Sequence, residues 1–216
     1  MYRPVKTILA LLFIAVLALF LSSCGASKES PAPQEEGGAE PTATQQPATE
    51  SVLMVVCQDG FQDTEYNTVR QALAGAGFEV VVAAPEKAVA TGVSGTRVNP
   101  DLALTEVGAS GYLAVVFIGG PGTDSLFDTE EAHRLAREAL QQGKVLAAIC
   151  LAPAILARAG VLSGKRATVF PSAKGDLTAG GAIYTGSDVE VDGKVVTASG
   201  PEASGPFAQA ILDSLR

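Results

Sequence analysis

From residue 51 to residue 216 the chain alternates unbroken apolar runs with stretches whose apolar residues recur every three or four positions. "SVLMVVC" (51–57), "FEVVVAAP" (78–85), "YLAVVFIGG" (112–120) and "KVLAAIC" (144–150) are the unbroken runs. Such runs predict strands of a parallel sheet covered on both faces. Residues 64–76 place Val69, Ala72, Leu73 and Ala76 at helical spacing, with Gly75 and Gly77 closing the segment. "DTEEAHRLAREALQQG" (128–143) predicts a helix capped by Asp128, with Glu131 completing a capping box. Its buried stripe is Ala132, Leu135, Ala136, Ala139 and Leu140. "LAPAILARAG" predicts a helix directly after the fourth strand, and a last helix runs through Phe207 to Leu215. "DVEVDGKVVTASG" predicts a late β-hairpin turning at Asp192-Gly193. Residues 86–111 are rich in loop residues and show no clear period.

Strand, helix, strand, helix implies right-handed crossovers and a doubly wound, mostly parallel α/β sheet with helices on both faces. In that architecture ligands bind outside the carboxyl ends of the strands. Cys57, Gly119, Gly120 and Cys150 stand at those ends. Cys150 is placed where a buried strand turns into a helix, as nucleophiles are on hydrolase elbows. The helix N-terminus behind it offers free N–H groups and a positive dipole end. Pro153 falls in the first helical turn, where a missing N–H costs little.

The first 50 residues are of a different kind. "MYRPVKTILALLFIAVLALFLSSCG" carries Arg3 and Lys6 before an apolar run from Ile8 to Leu21, the pattern of a secretory signal. The run is short for a membrane span, which needs about twenty residues. "LSSC" (Leu21 to Cys24) resembles the lipobox of bacterial lipoproteins. That resemblance implies cleavage after Ser23, lipid attachment at Cys24 and a protein held at the cell membrane facing outside the cytoplasm. An uncleaved anchor or plain secretion is the alternative. Residues 25–50 hold Pro, Glu, Gln, Thr, Ser and Gly and almost nothing large and apolar, so 24–50 reads as a lipidated cysteine and disordered linker. A flexible coil of that length reaches roughly 30 Å. The expected organisation is a signal over 1–23, the linker over 24–50 and one α/β domain over 51–216.

Composition narrows the function. Apolar residues make up 47% of the 216, enough for a core, and the net charge is −8 with no basic cluster. Nucleic acid is therefore an unsuitable partner. Residues 51–216 hold 12 basic and 18 acidic residues, a net of −6, so the domain is not itself drawn to an anionic surface. The three cysteines cannot form a disulfide framework. No His and Cys spacing suits a metal, and no cofactor motif is present; "GGPGTDS" (119–125) lacks the Walker lysine.

"AAIC" before a helix with proline, the upstream "IGG", the early "DGFQDTEY" and the late "VDGKVVTASGP" together resemble the DJ-1/PfpI superfamily across 51–216. The resemblance implies a flavodoxin-like fold, frequent homodimerisation, and an elbow cysteine paired with a glutamate just after the first strand. The matching positions are Cys150 and Glu65. At these strand ends the backbone N–H groups of Gly120 and Leu151 are expected as oxyanion donors, with Gly119 and Cys57 in the pocket. Members are described as glyoxalases, deglycases, peptidases, chaperones or oxidation sensors. Two departures matter. Leu151 and Phe170 stand where many relatives carry histidine, and the sole histidine, His133, sits beside the buried stripe of a helix. Peptide hydrolysis by a Cys–His mechanism is poorly equipped here.

Without histidine, Cys150 depends on its surroundings. A free thiol has a pKa of about 8.5, and a helix N-terminus shifts it by roughly one unit. A protonated Glu65 would donate a hydrogen bond to the sulfur and serve as proton carrier; an ionised one would repel the thiolate. The expectation is a Cys150 that ionises below pH 7 and reacts before Cys57. Three functions follow: an enzyme acting on small reactive carbonyls through a hemithioacetal, an oxidation sensor or binding module, and a hydrolase. The first is preferred.

Overall fold

The computed structural model describes residues 50–216. The signal, Cys24 and all but the last residue of the linker lie outside the described residues.

Strand β1 (Ser51–Val55) opens the domain and is followed by β2 (Asp59–Phe61) and helix α1 (Asp63–Gly75). Next come β3 (Glu79–Ala84), β4 (Ala90–Gly92), β5 (Arg97–Val98), β6 (Leu102–Ala103) and β7 (Ala114–Phe117). Helix α2 (Glu130–Gln141), β8 (Val145–Ile149) and α3 (Pro153–Arg158) form the middle of the chain. The remainder is β9 (Arg166–Ala167), α4 (Lys174–Ala179), β10 (Ile183–Tyr184), β11 (Val189–Asp192), β12 (Val195–Ala198) and α5 (Ser204–Leu215).

The main sheet has the order β11-β12-β8-β7-β1-β3-β6, parallel throughout except for β11 against β12. From β1 the chain steps outward to β3 in one direction, then from β7 to β8 in the other. Right-handed crossovers in opposite directions put their helices on opposite faces. Accordingly α1 packs with α5, and α2 packs with α3. Both faces being covered, every residue of β7 and β8 is buried, which explains their unbroken apolar character. The fold is the flavodoxin-like doubly wound α/β class, and its switch point lies between β1 and β7.

Three local expectations change. Residues 86–111 are not structureless: β4 and β5 join β2 in a separate three-stranded sheet, and β6 edges the main one. The helix cap of α2 is Thr129, whose side chain makes no capping bond. Asp128 is drawn away to the guanidinium of Arg158 at 2.8 and 2.9 Å, so the Asp128–Glu131 box does not form. The late hairpin turns one residue later than expected, with Asp192 paired to Val195 and Gly193-Lys194 as its loop. Asp192 stays in the strand because its carboxylate accepts from the Arg166 backbone N–H at 2.9 Å. Gly193 supplies the positive φ of 63° that the tight turn requires.

Candidate active site

β1, β7 and β8 lie side by side, and the loops leaving their carboxyl ends bring Glu65, Gly119, Gly120 and Cys150 together. Cys150 is the one described non-glycine residue with positive φ, at 61°. A left-handed backbone costs an L-residue about 1–2 kcal/mol. The strain is held by the bonds on either side: Cys150 N–H donates to Ala198 O at 2.9 Å, and Phe170 N–H donates to Cys150 O at 2.9 Å. The chain can then enter α3 at Pro153 within three residues. Only 8% of Cys150 is exposed, so its thiol is largely shielded from solvent.

Glu65 is not the solvated first-turn acid that its place in α1 suggests. It is fully buried. Its Oε2 accepts from Gly119 N–H at 3.0 Å, and Oε1 is buried without a hydrogen-bond partner. Desolvation pushes its pKa up to about 7, against smaller opposing effects of Gly119 and Cys150. Gly119 lies between the pair: a Cβ there would stand 2.5 Å from Cys150 Cβ and 2.9 Å from Glu65 Oε2. A side chain at 119 would separate thiol from carboxyl.

The thiol runs against the expectation of ionisation below pH 7. Burial first, and then the Glu65 charge, push Cys150 up to about 12. The N–H groups of Leu151 and Gly120 point at the sulfur and oppose this without overcoming it. α3 is only six residues long. Two buried acids in contact lose their protons in two steps that belong to the pair. Between the steps one proton remains, on sulfur or on carboxyl. An ionised Glu65 would leave Oε1 as a buried, unpaired charge-bearing oxygen, which is costly. A proton on the carboxyl removes that cost.

A cavity of about 390 Å3 opens over Cys150. Its walls are Pro121, Leu151, Phe170 and Pro201, with Gln62 and Ser172 as polar side chains and Gly120 as backbone. No charged side chain other than a Cys150 thiolate could line it. Gly119 and Cys57, expected in the pocket, do not line it. Gly119 is covered by the Cys150 and Glu65 side chains. Cys57 turns under the next loop and donates to Asp59 O at 3.2 Å. Burial pushes its thiol up to about 11. His133 holds Phe127 O at 2.7 Å from Nε2 and takes no part in the cavity. Among the described residues no His, Cys, Asp and Glu cluster fits a metal ion.

One organising residue escaped the sequence reading. Asp63, two positions before Glu65, is almost buried and accepts from Ser94 and Thr96 N–H groups, both at 2.8 Å. Against the cost of burial, the Thr96 side chain first and then those N–H groups hold its pKa below the usual carboxylate range. Gly92 lies flat on the carboxylate, where a Cβ would stand 2.6 Å away. Asp63 thereby fastens the β4–β5 hairpin to the start of α1, beside Glu65. In the sequence it reads only as a dipole-favoured acid.

Known proteins share this arrangement of strands and loops. The profile of the DJ-1/PfpI family matches residues 50–214. An uncharacterised protein of Methanocaldococcus jannaschii is 34% identical over 167 residues, covering 76% of this chain and 82% of its own. A deglycase of Pyrococcus abyssi is 36% identical over 149 residues, covering 69% and 90%. A glutathione-independent glyoxalase of Caenorhabditis elegans is 26% identical over 168 residues, covering 78% and 90%. Among solved structures, a ThiJ/PfpI domain protein from Brachyspira murdochii superposes with a TM-score of 0.75 at 32% identity, covering 77% of this chain and 96% of its own. A strained cysteine elbow, a buried glutamate beneath it, the sheet order and these matches agree: the chain belongs to the DJ-1/PfpI family.

Proposed function

We propose that the protein is a cofactor-independent enzyme of glyoxalase or deglycase type, acting on small, uncharged reactive carbonyls. The observation that carries this is the fully buried Glu65, with an unpartnered oxygen, coupled to a thiol that faces a cavity free of other charge. Relatives named deglycase and glyoxalase support the same class. With methylglyoxal, Sγ of Cys150 adds to the aldehyde carbon. The C–S bond forms, and the carbonyl π pair moves to oxygen, held by the N–H groups of Gly120 and Leu151. The carboxyl proton of Glu65 neutralises that oxygen and gives a hemithioacetal. The carboxylate left behind removes the proton from the former aldehyde carbon, and a proton returns to the neighbouring carbon through the enediol. Water then cleaves the resulting thioester, releasing lactate and restoring the thiol. Overall, methylglyoxal plus water gives lactate, with no external oxidant.

Purified protein given methylglyoxal is expected to form lactate, measured by proton NMR, and Cys150→Ala is expected to abolish it. A wild type that gains oxygen on Cys150 by mass, yet makes no lactate at any pH from about 6 to about 9, around the usual range of a thiol, would replace this reading with that of a sensor.

The "LSSC" stretch supports a lipid anchor at Cys24 and a place at the cell membrane, outside the cytoplasm. Cells fed a palmitate analogue are expected to tag the protein, and Cys24→Ala to remove the tag and either release the protein or block its processing. An untagged, fully soluble wild type would end that proposal.

A further inference from the structure

The cavity over Cys150, at about 390 Å3, is far larger than a three-carbon oxoaldehyde fills. Its side-chain walls are mostly apolar. One of them is anomalous. Phe170 is the only aromatic side chain among the described residues that stays exposed, at 41%. An exposed phenylalanine ring forgoes burial that would otherwise stabilise the fold. Its ring is nevertheless held in place. The Phe170 N–H donates to Cys150 O at 2.9 Å, tying its backbone to the elbow. The ring lies on Gly200, where an added Cβ would stand 3.3 Å from Cδ2. A second cavity of about 320 Å3 shares Phe170 and Pro201 with the first, so the ring borders open space on both.

We propose that Phe170 determines specificity, and that the site prefers oxoaldehydes that carry an aryl or branched apolar group on the carbon next to the aldehyde. The apolar group packs on the Phe170 ring while Cys150 meets the carbonyl carbon. Ring-on-ring contact adds an oriented interaction to the apolar area removed from water. A small methyl substituent leaves the ring exposed and gains neither. The chemistry rests on the carbonyl reading above; the preference rests on the cavity and on Phe170 alone.

Two measurements keep the two ideas apart. The first is kcat/KM for phenylglyoxal against methylglyoxal, in wild type, Phe170→Ala and Phe170→Tyr. The second needs no turnover: the rate of Cys150 alkylation by iodoacetanilide against iodoacetamide, read by mass spectrometry and normalised to the same reagents with free cysteine. In both, the aryl compound is expected to lead about tenfold in wild type, a ratio worth one factor of ten in binding. The lead should fall to near one in Phe170→Ala and return in Phe170→Tyr. A ratio near one in the wild type, or an unchanged ratio in Phe170→Ala, overturns the proposal. An aryl lead in alkylation with neither glyoxal turned over keeps the specificity and rejects the glyoxalase. Methylglyoxal turnover with no aryl lead in either measurement does the reverse.

Discussion

Glu65→Gln is expected to lose turnover of carbonyl substrates while making the protein more stable above pH 7. The two effects have one cause. Glu65 has its pKa pushed from 4.5 to about 7 by burial, so the folded protein binds its proton more tightly than the unfolded chain. The sign follows from linkage. The stability associated with that proton is complete below pH 4.5, and it is lost as pH rises through 7. At about 1.4 kcal/mol per pKa unit, the loss approaches about 3 kcal/mol. A glutamine at this position carries no ionisable proton, so the variant escapes the loss. The amide oxygen still accepts from Gly119 N–H, and the amide NH2 still donates toward sulfur. What the variant lacks is the proton that moves. Chemical denaturation from about pH 4 to about pH 8, spanning both ends of the shift, should show the wild type losing stability relative to Glu65→Gln. Parallel stability profiles would mean that Glu65 ionises freely in the folded state. Lactate formation retained in the variant would mean that Glu65 carries no proton in the reaction. The pair's second proton leaves at higher pH: Cys150 is raised from 9.0 to about 12 by burial and the Glu65 charge, so that contribution is complete below pH 9 and lost as pH rises through 12.

Gly120→Ala is expected to destabilise the protein and disturb the site together. Gly120 has a φ of 130°, a region that L side chains rarely adopt. A Cβ there would stand 2.3 Å from Gly60 O and 2.6 Å from Gln62 N, both backbone atoms that cannot rotate away. Overpacking typically costs about 1–3 kcal/mol, and the backbone strain adds to it. Relief of that clash moves the β7 loop, whose N–H points at the Cys150 sulfur. The variant should therefore melt earlier by several degrees, and alkylation of Cys150 should change even at temperatures where the fold is intact. Gly143→Ala is the control, since a Cβ at that positive-φ glycine meets nothing within 4 Å. Equal destabilisation in the two variants would show that φ alone, and not the close approach to Gly60, governs position 120.

Much of the architecture was written in local pattern. The apolar runs that became β1, β3, β7 and β8 announced a buried parallel sheet because strands covered on both faces have no solvent-facing side for polar residues. Cys150 was legible as an elbow because an apolar run, a sulfur and a proline in that order leave little room for anything but a sharp strand-to-helix turn. Residues 86–111 were not legible. β4, β5 and β6 are two or three residues long, too short to show a period, and β4 pairs with β2, on the far side of α1 and β3 in the chain. Asp128 illustrates the same limit: its cap lost to Arg158, a residue 30 positions away.

The chemistry of the site divides along the same line. Cys57 and Cys150 both end apolar strands in the sequence, yet one packs beneath a loop and the other sits at a left-handed turn under a cavity. Glu65 and Asp63 both stand in the first turn of α1, yet burial pushes one pKa up, while the Thr96 side chain and backbone N–H groups hold the other down. Residue type and spacing named the candidates, because an elbow and a helix start are local geometries. Which candidate meets which, and which way each pKa moves, came from the assembled fold. Desolvation and charge act across space, on neighbours that the chain order does not reveal.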